Sequence, residues 1–186
     1  MNIYKNLLLL AVFLSPQIKA DMIGPIDLNA EVECLAMNIY HEARSERTAG
    51  MWAVADVTIN RVKSIAYPDT VCEVVYQGPV YESWKTARFP NLADELRIYN
   101  PVKGKCQFSW YCDGKSDKIP EFDIDLYTAI FARASRMIGA YNWGKLDDMT
   151  QGSTHYHADY VYPEWREQKT KMLQIGNHIF YRWEKR

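Results

Sequence analysis

Two stretches of helical periodicity, separated by only a few residues, constrain this chain more than any other feature. Residues 31–44 read EVECLAMNIYHEAR, and Val32, Leu35, Ala36, Ile39, Tyr40 and Ala43 recur at the spacing of one helix face. Residues 48–63 read TAGMWAVADVTINRVK. Met51, Val54, Ala55, Thr58 and Val62 line one face there, and Trp52, Ala53, Asp56 and Ile59 widen the surface to be buried. Asn29 is the N-cap candidate of the first helix and Thr48 of the second. Pro68 prevents the second from running far past Ala66. So short a connection predicts that the helices fold back on each other, bringing the start of the first near the end of the second.

Cys34 and Cys72 lie at those two ends, which predicts a Cys34–Cys72 disulfide. Cys106 and Cys112 are then left to close a small loop around QFSWY. Four cysteines allow three pairings, and an even count suits an exported chain. Zinc is the alternative, but the sequence has no CxxC and the spacings are long. The amino terminus points to the same compartment. Lys5 precedes the apolar run LLLLAVFL, Ser15 and Pro16 break it, and Ile18-Lys19-Ala20 offers a cleavage site before Asp21. Residues 1–20 therefore read as a secretory signal peptide, too short for a membrane span of ~20 apolar residues. Residues 21–186 form the mature chain, without a stable membrane span, exported to the periplasm or the extracellular space.

Downstream, Val71 to Tyr76 suits a short helix or a turn of one. Residues 78–104 are loop-rich, with Pro79, Pro90 and Pro101. Asp123 to Ile138 reads as a third long helix, with Leu126, Ile130, Ala134 and Met137 near one stripe. Residues 139–152 are punctuated by Gly and Asn. His155-Tyr156-His157, Pro163-Glu164-Trp165 and an apolar-aromatic segment, IGNHIFYR, follow. With 186 residues, 48% hydrophobic, and no internal repeat, the expectation is one mainly α domain with irregular loops. A formal net charge of -1 without a basic block disfavours nucleic acid as a partner. Six Trp and 13 Tyr suit either an aromatic core or a cleft that stacks on pyranose rings.

Glu42 is the carboxylate that stands out. On the helical wheel it falls beside the apolar stripe, one turn from Ile39 and two from Leu35. It also sits near the helix C-terminus. Desolvation and the negative end of the helix dipole both favour its protonated form. An acid that keeps its proton near neutral pH is what glycosidic cleavage requires. The alternative is a surface Glu paired with Arg44 or Arg47. Ordinary glycoside hydrolysis needs a second carboxylate. Asp56 could face the cleft, or could simply pair with Arg61. A one-carboxylate scheme avoids the need: the substrate's N-acetyl group stabilises the cation-like intermediate, and the same Glu then takes a proton from the C6 hydroxyl.

Several segments resemble the SleB-type cell-wall hydrolases, the family of the spore-cortex-lytic enzymes. They are IYHEAR (39–44), AVADVTINRV (53–62), TVCEVVYQ (70–77), CQFSWYCDG (106–114), GSTHYHADYVYPEW (152–165) and IGNHIFYR (175–182). They occur in the family's order and span nearly the whole mature chain. The resemblance implies a lysozyme-like fold and cleavage of peptidoglycan glycan strands between N-acetylmuramic acid and N-acetylglucosamine, by lytic transglycosylation. It places the catalytic Glu at Glu42 and implies no metal and no cofactor. Cortex members often carry a separate peptidoglycan-binding domain, for which this chain has no room, so wall remodelling or phage-type lysis fits as well as a cortex role.

Gln107 and Ser109 are short polar groups on a loop pinned by cysteines, suited to sugar hydroxyls or an acetamido group. Phe108 and Trp110 alternate with them, one packing inward and one free to stack on sugar. His155 and His157 with Asp159, or His41, could ligate zinc, but HExxH is absent. Tyr156 and His157 are read instead as lining the cleft, where they position Glu42 or the substrate, and His178 as structural. A zinc-dependent amidase or peptidase, an ordinary hydrolytic muramidase and a non-catalytic wall-binding module are the competing readings.

Overall fold

The computed structural model describes residues 27–183; the expected signal peptide, residues 1–20, lies outside them. Helix α1 (Leu28–Ala43) starts at Asp27, whose carboxylate accepts from the backbone N–H of Asn29 and Ala30 at 3.0 and 3.4 Å. The cap is thus Asp27, not Asn29: the side chain that reaches back to the orphan N–H groups belongs to the residue just outside the first turn. Helix α2 (Thr48–Val62) has Arg47 at its N-cap without a side-chain cap bond, so Thr48 is its first helical residue rather than its cap. Leu35, Ala36 and Ile39 of α1 and Ala55 and Ile59 of α2 are fully buried in one cluster, and the two helices pack as a hairpin.

Helix α3 (Val71–Val75) is fastened to the first turn of α1 in two ways. Cys34 and Cys72 are bonded. Glu31, itself buried, accepts from the N–H of Val71 at 2.6 Å and of Cys72 at 3.4 Å. A carboxylate at these orphan donors satisfies them and suits the positive end of the helix. Strands β1 (Val80–Glu82) and β2 (Tyr99–Pro101) form an antiparallel pair that encloses the short helix α4 (Trp84–Ala87). The Cys106–Cys112 disulfide then closes a tight loop over the 3-10 turn Ser109–Cys112. Helix α5 (Ile124–Asn142) lays Ile130, Ala134 and Ile138 against α1.

The last third departs from the mainly α expectation. Strands β3 (His155–Ala158), β4 (Thr170–Ile175) and β5 (His178–Arg182) form an antiparallel sheet in the order β3-β5-β4. Among the described residues there are five α-helices and five strands. Phe180 of β5 inserts, fully buried, between Ala53 and Val57 of α2, so the sheet is a second layer resting on the hairpin. Its β4–β5 turn is set by Gly176, at φ 59°. A side chain there would also collide with Glu46, which accepts from Asn177 Nδ2 at 2.9 Å. The turn is thereby tied to the link between α1 and α2.

Candidate active site

The last turn of α1 meets strand β3 at Glu42. Tyr156 Oη donates to Glu42 Oε2 at 2.9 Å. Side chains alternate along a strand, and Tyr156 lies on the inner face of β3, against Phe180 and His178. Beneath the pair is Arg61 of α2, only 4% exposed, whose Nε donates to the Thr154 carbonyl at 2.9 Å. Its guanidinium lies 4.7 Å over the Phe108 ring. Burial pushes the Glu42 carboxyl above its ordinary range, although the Tyr156 hydrogen bond and the Arg61 charge pull it down. Burial likewise drives the Tyr156 phenol well above 10, so it remains a donor.

Glu42 opens into a cleft of about 350 Å³. Tyr40 and His41 of α1, Arg44 just past its end, Ser109 and Trp110 of the disulfide-closed loop, and the segment from Asp113 to Pro120 form its walls. Trp110 is anchored by its indole N–H, which donates to Asn38 Oδ1 at 2.9 Å, and Asn38 in turn donates to Thr58 Oγ1 at 3.0 Å. The His41 ring stacks on Trp110 at 4.4 Å and 14°. Asp113 and Asp117 bring two further carboxylates to the cleft. A bond from the Lys115 backbone N–H holds Asp113 below its usual range, and partial burial raises Asp117.

The residues expected at the site separate clearly. Ser109 lines the cleft beside Glu42, and Tyr156 bonds to Glu42 from behind. Gln107 is outside the cleft wall; its backbone N–H donates to the Gln77 carbonyl. His157 is turned away, because the strand that aims Tyr156 inward must aim its neighbours outward. Its Nδ1 donates to the Ala158 carbonyl at 2.8 Å, Nε2 accepts from Tyr181 Oη at 3.0 Å, and the ring stacks on Tyr181. Both nitrogens are therefore used within the fold. Among the described residues no three His, Cys, Asp or Glu side chains converge to hold a metal ion. Phe108 is the inward ring, and Trp110 offers its face to His41. His178 is buried against Tyr156 and Phe180.

Asp56 does not pair with Arg61 and does not reach this cleft. Its Oδ2 accepts from the Met149 N–H at 3.0 Å, and it borders a separate hollow with Trp52, Met137 and Met149. Five residues apart on a helix, Asp56 and Arg61 point to different sides. Arg61 was not expected at the site, although an arginine inside the apolar stripe of α2 is the signal that the sequence carries. Asp113 and Asp117 gave none, because no periodicity tells that their loop returns to α1.

The sequence profile of a family described as cell wall hydrolase matches residues 45–181. Glu42 stands just ahead of that span. No curated protein matches the chain in sequence. Among solved structures, the catalytic domain of the Bacillus cereus SleB protein shares the fold, at a TM-score of 0.51 and 22% identity, over 82% of this chain and 89% of that one. The catalytic domain of the germination-specific lytic transglycosylase SleB from Bacillus anthracis superposes at a TM-score of 0.49 and 20% identity, over 86% of this chain and 99% of that one. With a family match across most of its length, the chain belongs to the cell wall hydrolase family and is a peptidoglycan-cleaving enzyme.

Proposed function

We propose that the chain cleaves the bond between N-acetylmuramic acid and N-acetylglucosamine by lytic transglycosylation, with Glu42 as acid and then as base. The observation that carries this is the state of Glu42: a carboxyl raised by burial, open to a cleft, with one oxygen fixed by Tyr156. No described residue donates to Oε1, which is the oxygen left for substrate. In the first step the Glu42 proton passes to the glycosidic oxygen, the C1–O bond breaks, and the acetamido oxygen of the muramic residue bonds to C1. In the second, the Glu42 carboxylate takes the C6 hydroxyl proton as O6 attacks C1 and releases the acetamido oxygen. The product is a 1,6-anhydro sugar, no water is consumed, and Glu42 ends protonated as it began.

Ser109 supplies a hydroxyl at the cleft for sugar contact. Residues 1–20 act as the export signal and 21–186 as the catalytic domain, which suits a chain with two disulfides acting in the periplasm or outside the cell. No helix among the described residues is long and apolar enough to cross a membrane.

Asp117, half-buried in the same cleft, favours a second reading in which it activates water and the enzyme is an ordinary hydrolytic muramidase. The resemblance of the IYHEAR and neighbouring segments to SleB-type hydrolases supports the first. Mass spectrometry of products from purified peptidoglycan decides between them. Anhydro-muropeptides are expected; reducing muramic ends, heavier by one water, would establish hydrolysis.

A further inference from the structure

We propose that His41 is a substrate-positioning residue whose Nδ1 accepts the N–H of the sugar's 2-acetamido group beside Glu42. The inference rests on the Glu42 reading above and adds a contact to it. His41 is the residue just before Glu42, and both face the same cleft. Three contacts lock its ring. One face stacks on Trp110, itself held by Asn38. Tyr40 meets it edge-on, at 5.0 Å and 88°. Nε2 lies 3.3 Å from the Asp117 carbonyl oxygen.

A carbonyl oxygen can only accept, so the proton is on Nε2. Burial lowers the ring's pKa, which keeps it neutral. Nδ1 is then a bare acceptor, and no described residue donates to it. A ring held this firmly, with one acceptor unspent in a catalytic cleft, is preorganised for a ligand donor. The proposed chemistry needs such an acceptor. For the acetamido oxygen to reach C1, the amide must be held in one orientation, and its N–H points to the opposite side from its oxygen. Both oxygens of Asp113 already have a partner on Lys115, the backbone N–H at 2.7 Å and the ammonium at 3.5 Å, whereas His41 Nδ1 is unspent.

Two substitutions separate this role from mere support of the loop at Asp117. His41→Asn places an amide oxygen where Nδ1 stands but loses the Asp117 latch. His41→Gln reaches Asp117 but loses the acceptor. Both are made in full-length Glu42→Gln, and affinity for an N-acetylated GlcNAc–MurNAc tetrasaccharide is measured by calorimetry. The expected result is a loss of about tenfold for His41→Gln, the scale of one net hydrogen bond, with most of the affinity recovered in His41→Asn. A tetrasaccharide whose acetamido nitrogens carry a methyl group should bind about tenfold more weakly to the parent, with no further loss in His41→Gln. Unchanged affinity in His41→Gln, or the reverse pattern with Asn weak and Gln normal, would overturn the proposal. Binding is read without turnover, so its failure is distinct from that of the Glu42 reading, which would show as cleavage of the fragment by Glu42→Gln.

Discussion

Glu42 is held between opposing influences, and their balance sets its chemistry. Burial favours the protonated acid; the Tyr156 hydroxyl and the Arg61 charge favour the carboxylate. Removing the hydroxyl in Tyr156→Phe takes away a stabiliser of the charged form, so the Glu42 pKa rises further. The acid then survives to higher pH, and the alkaline limb of the pH–rate profile should move upward. The rate itself should fall tenfold to a hundredfold, roughly the value of a hydrogen bond to a charged group. A limb that stays put or moves down would show that Tyr156 does not govern Glu42. Asp56 offers a separate test on stability. It is 2% exposed, and burial raises it from 3.8 to about 7. The folded protein thus holds a proton that the unfolded chain releases near pH 4. The stabilisation is complete below pH 4 and is lost as pH rises toward 7, with a ceiling of about 4 kcal/mol. Denaturation across pH 4–8 should show this decline in the wild type and a flatter profile in Asp56→Asn.

At the scale of elements, the helices were legible and the sheet was not. The 3.6-residue period of 31–44 and 48–63 reports α1 and α2 to within a few residues, although α2 is buried all round from Ala53 to Val62, between α1 and the sheet. The strands β3 and β5 carry His and Tyr on both faces, and the outer face of β3 is covered by Trp165 and Tyr181. Alternation of apolar and polar residues, the usual mark of a strand, is thereby erased. Strand alternation also separates His157 from Tyr156, since neighbours in a strand face opposite sides. The ends of the hairpin predicted where Cys34 and Cys72 would meet, and their bond spans 38 residues. Replacing both by serine should cost about 2–4 kcal/mol in chemical denaturation, chiefly by freeing the unfolded chain. A loss near zero would mean that the Glu31 cap on α3 suffices to hold this junction.

Across the whole molecule, the site is assembled from segments distant in sequence. The end of α1 supplies Glu42 and His41, the disulfide-closed loop supplies Ser109 and Trp110, and β3 supplies Tyr156. Glu42 was legible because one helix wheel contains its reason for burial. Arg61, Asp113 and Asp117 were not, because their proximity to Glu42 depends on how layers pack, which no local pattern encodes. The sheet resting on α2 carries Tyr156 to the carboxyl, and α2 sets Arg61 below it. Whether this assembly makes Glu42 the acid is tested by digesting purified peptidoglycan with the wild type and Glu42→Gln side by side. Glu42→Gln should fold normally and lose activity by at least about 10²–10⁴-fold, the range for a general acid. A variant that stays within a few-fold of the wild type would show that Glu42 is not the acid.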